Sequence, residues 1–328
     1  MRKYRIFSGI TVLLLSLCMV LTACGGGNDQ LKSESRAEET LSESPQLFDS
    51  SDPVELIPQN PAKRGYETVL FIGLDKFEAS VEEMAYLNDQ QCDFLLLLVI
   101  DEENGVCDIL HLNRDTMTEI TRLGIGSKKA GTFVGQLALA HTYGSGGSDS
   151  CLNTTRAVSK LLKGVPIDHY IAMTMEGVST LNDLVGGVPV TIPVDMTHID
   201  PSFWKGAEVV LHGDHALDFV RTRMDTGDGS NLSRMERQRA YLDSLYRCLM
   251  ESIKEDDSFI DSSLLKMTAH FQSDLPLTSL DDLCERLASC KVNPFTVIEG
   301  EAVAGEEFME FYVDEESLDQ VINDLFIR

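Results

Sequence analysis

The sequence predicts an α/β protein, a single three-layer α/β/α domain around a central mixed sheet, and three observations carry that expectation. The run FLLLLVI at 94–100 is apolar without alternation, as a strand covered on both faces requires. From Tyr66 onward, short apolar runs alternate with longer amphipathic segments. Asp75 and Arg114 each follow the end of a strand-like run, where open α/β sheets gather their ligands.

Along the chain, YETVLFIGLDK reads as a first strand ending at Gly73-Leu74-Asp75. FLLLLVIDEENGVCDILHLNRDT reads as two strands joined at Asn104-Gly105, because that dipeptide tolerates the positive φ of a tight hairpin. Residues 132–142 and 150–163 have helical periodicity, with Ser150, Asn153 and Thr154 as N-cap candidates for the second and Lys163-Gly164 as its stop. VPIDHYIAMT and VPVTIPV are strand candidates around a helix from Glu176 to Val185. A short helix over 211–223, capped by Asp214, delivers Arg221 and Arg223. From Asn231, apolar residues at 232, 235, 242, 245, 246 and 249 mark one face of a long helix. The tail supplies further helices and the strand candidates FTVIEG and EFMEFYV.

The amino terminus reads differently. Arg2, Lys3 and Arg5 precede an apolar stretch over 7–21, too short for a bilayer span of about 20 residues, which reads as an export signal. Leu21-Thr22-Ala23-Cys24 resembles a lipoprotein cleavage box, so 1–23 is expected to be removed and Cys24 lipidated. The domain is then tethered on the extracytoplasmic face of the bacterial cell membrane. Residues 24–65, poor in large apolar side chains, read as a flexible acidic linker. The remainder, 66–328, divides into a core over 66–250 and an extension over 251–328.

With 27 Lys and Arg against 53 Asp and Glu, the formal charge is −26, which excludes a general nucleic-acid grip. Hydrophobic residues at 43% and a mean hydropathy of −0.06 leave ample material for a core. Cys92, Cys107, Cys151, Cys248, Cys284 and Cys290 remain in an exported body, as free buried thiols or in disulfides that spacing does not assign.

Against that acidity, grouped arginines stand out. If 221–223 is extended, Arg221 and Arg223 fall on one side as two forks for a phosphate or carboxylate. Arg234 and Arg237 follow, with Gln238 four residues after Arg234 on the same helical face. Asp75 and Asp93 bracket strand ends and are hard oxygen donors of the kind that hold Mg2+ alongside phosphate oxygens. Neither GLDK nor GSGGSDS has the spacing of a nucleotide phosphate loop.

The ordered series FIGLDK, CDFLLLLVI, HLNRDT, GTFVGQLALAHTYG, GVPIDHYIAMTMEGVSTLNDLVGGVPV, LHGDHALDFVRTR and GDGSNLSRMERQR resembles the LytR-CpsA-Psr family of cell-envelope proteins. The resemblance implies a Mg2+-dependent phosphotransferase. Such an enzyme moves an anionic glycopolymer, of the teichoic acid or capsular type, from a polyprenyl-pyrophosphate carrier to peptidoglycan. It implies a hydrophobic lipid-binding groove between sheet and helices. Asp75 and Asp93 match the family's metal ligands, and Arg114, Arg221, Arg223, Arg234 and Gln238 match residues around the pyrophosphate, with Asp93 and the first three arginines as the catalytic set. Asp228, Asn231 and Arg237 fall beside the substrate.

Two departures qualify the match. Asn231 stands where many members have aspartate, and a carboxamide cannot accept a hydroxyl proton, so the general base stays open. The insert KFEASVEEMAYLNDQQ between Asp75 and Asp93 reads as a lid, a surface helix or a plain loop extension. A non-catalytic lipid- or polymer-binding scaffold is the alternative function. Among the histidines no pair has metal-site spacing; His169 reads as structural, and His141 and Tyr143 as neighbours of the glycine-rich turn. Trp204 reads as core filler, with a sugar-stacking role as the alternative.

Overall fold

A computed structural model of the chain describes residues 64–75, 90–124, 127–222, 226–227, 230–256, 258–306 and 308–327. The expected signal, Cys24 and most of the acidic linker lie outside these residues, as do 76–89 of the insert, Arg223 and Asp228. No described helix is long and apolar enough to cross a membrane.

The central sheet begins with β1 (Glu67–Leu74), β2 (Phe94–Asp101) and β3 (Val106–Leu112), joined by antiparallel pairing. As the unbroken apolar run requires, every residue of β2 is buried. Its odd and even side chains enter two separate cores, Leu96 and Leu98 on one face and Leu95 and Leu97 on the other. The β2–β3 turn closes at Gly105, whose φ of 62° favours glycine.

A second hairpin follows. β4 (Met117–Leu123) pairs antiparallel with β5 (Lys129–Gln136), correcting the expectation of a helix over 132–142. Only Leu139–Thr142 is helical there, as the short α1. Thr132, Phe133 and Val134 favour extended backbone, Gly131 at φ 145° is incompatible with a helix, and pairing with MTEITRL decides between the two periods. α2 (Gly147–Leu161) begins three residues before the expected caps. Ser150, Asn153 and Thr154 therefore lie inside it, and Asn153 donates to Thr121 O at 2.9 Å and Ala140 O at 2.8 Å. Gly144 passes so close to this helix that a Cβ there would lie 2.3 Å from Ser150 Cα.

β6 (His169–Thr174) runs parallel to β1, and α3 (Met175–Leu184) leads to the hairpin of β7 (Val188–Thr191) and β8 (Glu208–Leu211). α4 (Asp214–Arg221) starts at Asp214 itself, Gly213 taking the cap position in place of the expected aspartate. α5 (Asn231–Glu255) opens at Ser230, whose hydroxyl accepts from Ser233 N at 3.1 Å.

The tail completes the sheet rather than standing apart. After α6 (Phe259–Met267), β9 (Phe271–Ser273) pairs with β6; after α7 (Leu277–Ser289), β10 (Lys291–Thr296) pairs with β3. The order β10-β3-β2-β1-β6-β9 thus takes both edges from the tail. β11 (Gly300–Ala304) and β12 (Met309–Val313) form a separate hairpin, shifting the boundaries expected from FTVIEG, and α8 (Glu315–Phe326) closes the chain. Helices α3 to α7 cover one face of the sheet and α1, α2 and α8 the other. This is the three-layer α/β/α arrangement with a mixed sheet. No disulfide joins the six body cysteines to one another, and burial pushes the Cys92 thiol up to about 12.

Trp204 is not core: 55% of its surface is exposed, while Phe203 beside it is buried. His169 is structural, joining β1 to the β9 turn through Glu67 at 3.2 Å and Asp274 at 3.0 Å. Hydrogen bonding to Asp274 and then Glu67 raises its pKa to about 9, so it is protonated at neutral pH. A raised folded-state value stabilises fully below the unfolded value near 6.5 and is lost as pH rises through about 9. Proton NMR of the imidazole is expected to titrate near that value, and Asp274→Asn to bring it down and flatten the loss of stability on the alkaline side.

Candidate anion-binding site

Three sheet termini meet at one end of the molecule. The β1–β2 register pairs Gly73 with Phe94, and the β2–β3 register pairs Leu95 with Leu112. Asp75 just after β1, Asp93 just before β2, and Asn113-Arg114-Asp115 just after β3 are therefore neighbours in space. Asp93 N donates to Gly73 O at 3.0 Å, locking the first two together.

Arg114 lies at the centre, 4% exposed. It is ion-paired with Asp93, its Nε is 3.4 Å from Asp115, and its Nη2 donates to Gln91 Oε1 at 2.5 Å. Gln136 Nε2 donates to the same Asp115 oxygen, Oδ1, at 3.2 Å. Desolvating a guanidinium is costly unless acceptors surround it, and these side chains provide them.

The amino terminus of α5 closes on the same end. Asn231 Oδ1 accepts from Arg234 Nη2 at 2.6 Å and Nε at 3.0 Å, while Asn231 Nδ2 donates to Asn113 Oδ1 at 2.5 Å. Arg234 also reaches Asp93 O at 3.4 Å. Asn231 is thus a bridge between helix and sheet, with both ends of its carboxamide engaged. Its chemistry suits that place, since aspartate would set a second acceptor against Asn113. The positive end of the α5 dipole adds to the field of the arginines.

Of the RTR segment, Arg221 is the last residue of helix α4 and Thr222 is extended, while Arg223, the other fork, lies outside the described residues. Half-buried Arg221 approaches exposed Asp75 at 4.0 Å. Arg237 and Gln238 turn toward this helix end. Arg237 Nε donates to Phe219 O at 3.2 Å and its Nη2 to Thr222 O, and Gln238 Nε2 donates to Val220 O at 3.4 Å. They satisfy the last carbonyls of α4 and so hold Arg221 at the rim. Arg114, Arg221, Arg234, Asp75 and Asp93 are brought together, with Arg237 and Gln238 behind them.

His111, under α5 and 5.0 Å from the Phe94 ring, is held well below its ordinary pKa by burial, with Arg239 and Arg234 adding to the effect. It is neutral and adds no charge. His141 is buried and hydrogen-bonded to Gln90 O at 3.2 Å, and burial lowers its pKa to about 4, which makes it core rather than site. Sequence reasoning missed Asn113, Gln91 and Gln136. Asn113 stands beside Arg114 in HLNRDT and carried a local signal, whereas the two glutamines carried none.

Asp75 and Asp93 fit a Mg2+ ion in kind only: both are hard carboxylates at one sheet end, Asp75 exposed and Asp93 buried with its Oδ1 on Arg114. Among the described residues no group of three such ligands occurs, so oxygens from a substrate would complete any shell.

Fold and side-chain geometry together define an α/β/α protein with a cluster of arginines and carboxylates at one end of its sheet. The chain belongs to the LytR_cpsA_psr family, whose model matches residues 30–327. It is 34% identical over 155 residues to a Bacillus cereus (strain AH820) protein named polyisoprenyl-teichoic acid–peptidoglycan teichoic acid transferase TagU, covering 47% of this chain and 46% of that one. The chain thus spans about half the length of that relative. With the TagU of Bacillus mycoides (strain KBAB4) it shares 29% identity over 240 residues, 71% of each. Among solved structures it resembles TagT bound to LIIa-WTA, at a TM-score of 0.60 and 19% identity over 86% of this chain and 98% of that one. It also resembles B. subtilis TagV, at 0.59 and 22% over 80% and 96%. At these identities the structures speak for the fold alone.

Removing the bridge exposes its role. Asn231→Ala is expected to lower stability by about 1–3 kcal/mol, because buried Arg234 and Asn113 lose partners. Asn231→Asp, which preserves the acceptor for Arg234, should cost less. Urea unfolding of the three proteins measures the difference.

Proposed function

We propose that the chain is a Mg2+-dependent phosphotransferase. It would move an anionic glycopolymer of the teichoic acid or capsular type from a polyprenyl-pyrophosphate carrier to a peptidoglycan hydroxyl, at the extracytoplasmic membrane face, tethered through lipidated Cys24. The observation that carries this reading is the buried Arg114–Asp93 pair flanked by Arg234 and Arg221, a set of fixed positive groups in an otherwise acidic protein. Family membership and the activity for which the Bacillus relatives are named support it.

The acceptor hydroxyl would form a bond to the sugar-linked phosphorus as the P–O bond inside the pyrophosphate breaks, and the departing polyprenyl phosphate gains charge. Guanidinium forks held in place before the reaction stabilise that charge without reorganisation. Arg114 and Arg234 would grip the oxygens of the breaking bond, and Arg221, at the rim, the outer phosphate. Held by Asp75 and Asp93, Mg2+ would supply further neutralisation of the phosphate oxygens. Asn231, with both carboxamide ends engaged, is no proton acceptor. Activation of the acceptor hydroxyl then rests on positioning and leaving-group stabilisation, as a loose phosphoryl transition state permits. The prenyl chain would lie along the apolar layer between sheet and helices.

The test incubates the purified chain with a lipid-pyrophosphate-linked oligosaccharide, peptidoglycan fragments and Mg2+, and follows the phosphodiester product by mass spectrometry. Arg114→Ala is expected to slow transfer by about 10²–10³-fold, the usual loss of one preorganised charge donor. Chelation of Mg2+ should stop the reaction and its return restore it. Lipid binding without any phosphodiester product would instead favour the scaffold reading, and release of free polymer to water a pyrophosphatase.

A further inference from the structure

Beside the arginine cluster lies a smaller recess that the phosphate chemistry does not use. It is a cavity of about 200 Å3 between α5, the end of β3 and the segment joining β10 to β11. Leu232, Met235, Ile298 and Phe311 give it apolar walls. Its frame is tied to the arginine cluster, because Phe311 N donates at 2.9 Å to the carbonyl of Asp115, the residue after Arg114. The β10–β11 segment is pinned from behind: Glu299 N donates to Ser317 Oγ at 3.0 Å and Asp314 N to Glu299 O at 2.8 Å. Gly300 then passes so close to β12 that a Cβ there would lie 2.3 Å from Tyr312 O. The recess is therefore a fixed part of the fold rather than a gap between loose segments.

Two polar side chains reach this apolar recess with capacity to spare. His111 is 2% exposed, and its Nδ1 is buried with no hydrogen-bond partner among the described residues. Folded proteins rarely leave such an atom unsatisfied, and a neutral imidazole offers one donor and one acceptor. Asn113 has its Oδ1 taken, by Asp115 N at 3.0 Å and Asn231 Nδ2 at 2.5 Å, so its Nδ2 is the end available to the recess it lines. At the rim the charge of Arg239 is met by Glu236, one turn earlier on α5, and Glu299 stands on the facing segment. With two carboxylates to one guanidinium, the mouth disfavours a free anion. Hydrocarbon is disfavoured as well, because a prenyl chain would leave His111 and Asn113 unpaired. The recess suits a small neutral group with an acceptor, a donor and an apolar end. An acetamide has all three: its carbonyl matches Asn113 Nδ2, its N–H the imidazole nitrogen, and its methyl the side chains of Met235 and Phe311.

We propose that this recess binds the acetamido group of an N-acetylated amino sugar through His111 and Asn113, and so orients that sugar beside the arginine cluster. Its role rests on the transferase reading, though the binding itself does not; in that reading the sugar belongs to the acceptor glycan or to the donor next to its phosphate. The test uses the full chain with N,N′-diacetylchitobiose, and with cellobiose, which has hydroxyls in place of the acetamido groups, as the control. Saturation-transfer NMR is expected to show its strongest enhancement on the acetamido methyl and none on cellobiose. By calorimetry His111→Phe, which keeps a ring and removes its nitrogens, should weaken binding about tenfold. Leu232→Trp, at a rim position 42% exposed, should block the mouth and abolish the methyl enhancement with circular dichroism unchanged. In the transfer assay Leu232→Trp should raise KM for the peptidoglycan fragments if the sugar is the acceptor's, or for the lipid-linked donor if it is the donor's, and either result sustains the proposal. Cellobiose binding as tightly as the acetylated disaccharide, no binding of either, affinity unaltered in both variants, or both KM values unchanged would overturn it. Acetamido-dependent binding sensitive to both variants, with no transfer product formed, would sustain the recess and remove the transferase reading alone.

Discussion

The structure depends on keeping guanidinium groups out of water at one end of the sheet. Arg114 and Arg234 are almost wholly buried, and each would be strongly destabilising there without acceptors. The acceptors come from distant parts of the chain: Asp93 and Gln91 from before β2, Asp115 from after β3, Asn231 from the start of α5. Satisfying them fixes the registers of three strands and the approach of the longest helix at once. The same groups, immobilised before any ligand arrives, are those that the proposed function assigns to the phosphate oxygens.

That arrangement also explains why the amino end of α5 is polar where the rest of its inner face is apolar. Asn231, Arg234, Arg237 and Gln238 are buried, and further along Tyr241, Leu242, Leu245 and Leu249 take over in the core. The first turns bind sheet ends and the carbonyls of α4; the later turns hold the layers together. Both edges of the sheet are supplied by the tail, through β9 and β10, so the carboxy-terminal segment is part of the platform that carries the site.

Much of this was legible beforehand, and the failures have identifiable causes. β2 was plain because seven apolar residues in a row leave one reading, and α5 because its apolar spacing persists over many turns. The segment 132–142 was misread because pattern alone does not separate a short amphipathic helix from a strand whose partner is unrecognised, and β4 was that partner. Trp204 was misplaced because composition favours burial of a large ring, while the turn around Phe203 turns it outward. Arg114, Arg234 and Asp93 were singled out by residue type and position. Asn231 was seen only as a missing carboxylate, since nothing local tells that its amide faces Asn113 across more than a hundred residues.

The amino-acid sequence by itself determined the layered α/β class, the hairpin at Asn104-Gly105, the excess of acidic residues and the short list of arginines able to meet an anion. Those follow from periodicity, turn chemistry and charge, which are properties of neighbouring residues. Tertiary structure alone decided which arginines are buried, that Arg237 and Gln238 brace α4 rather than face outward, and that Asn231 is a bridge. Such roles depend on which acceptor lies within about 3 Å of a donor, and only strand register and helix packing set that distance.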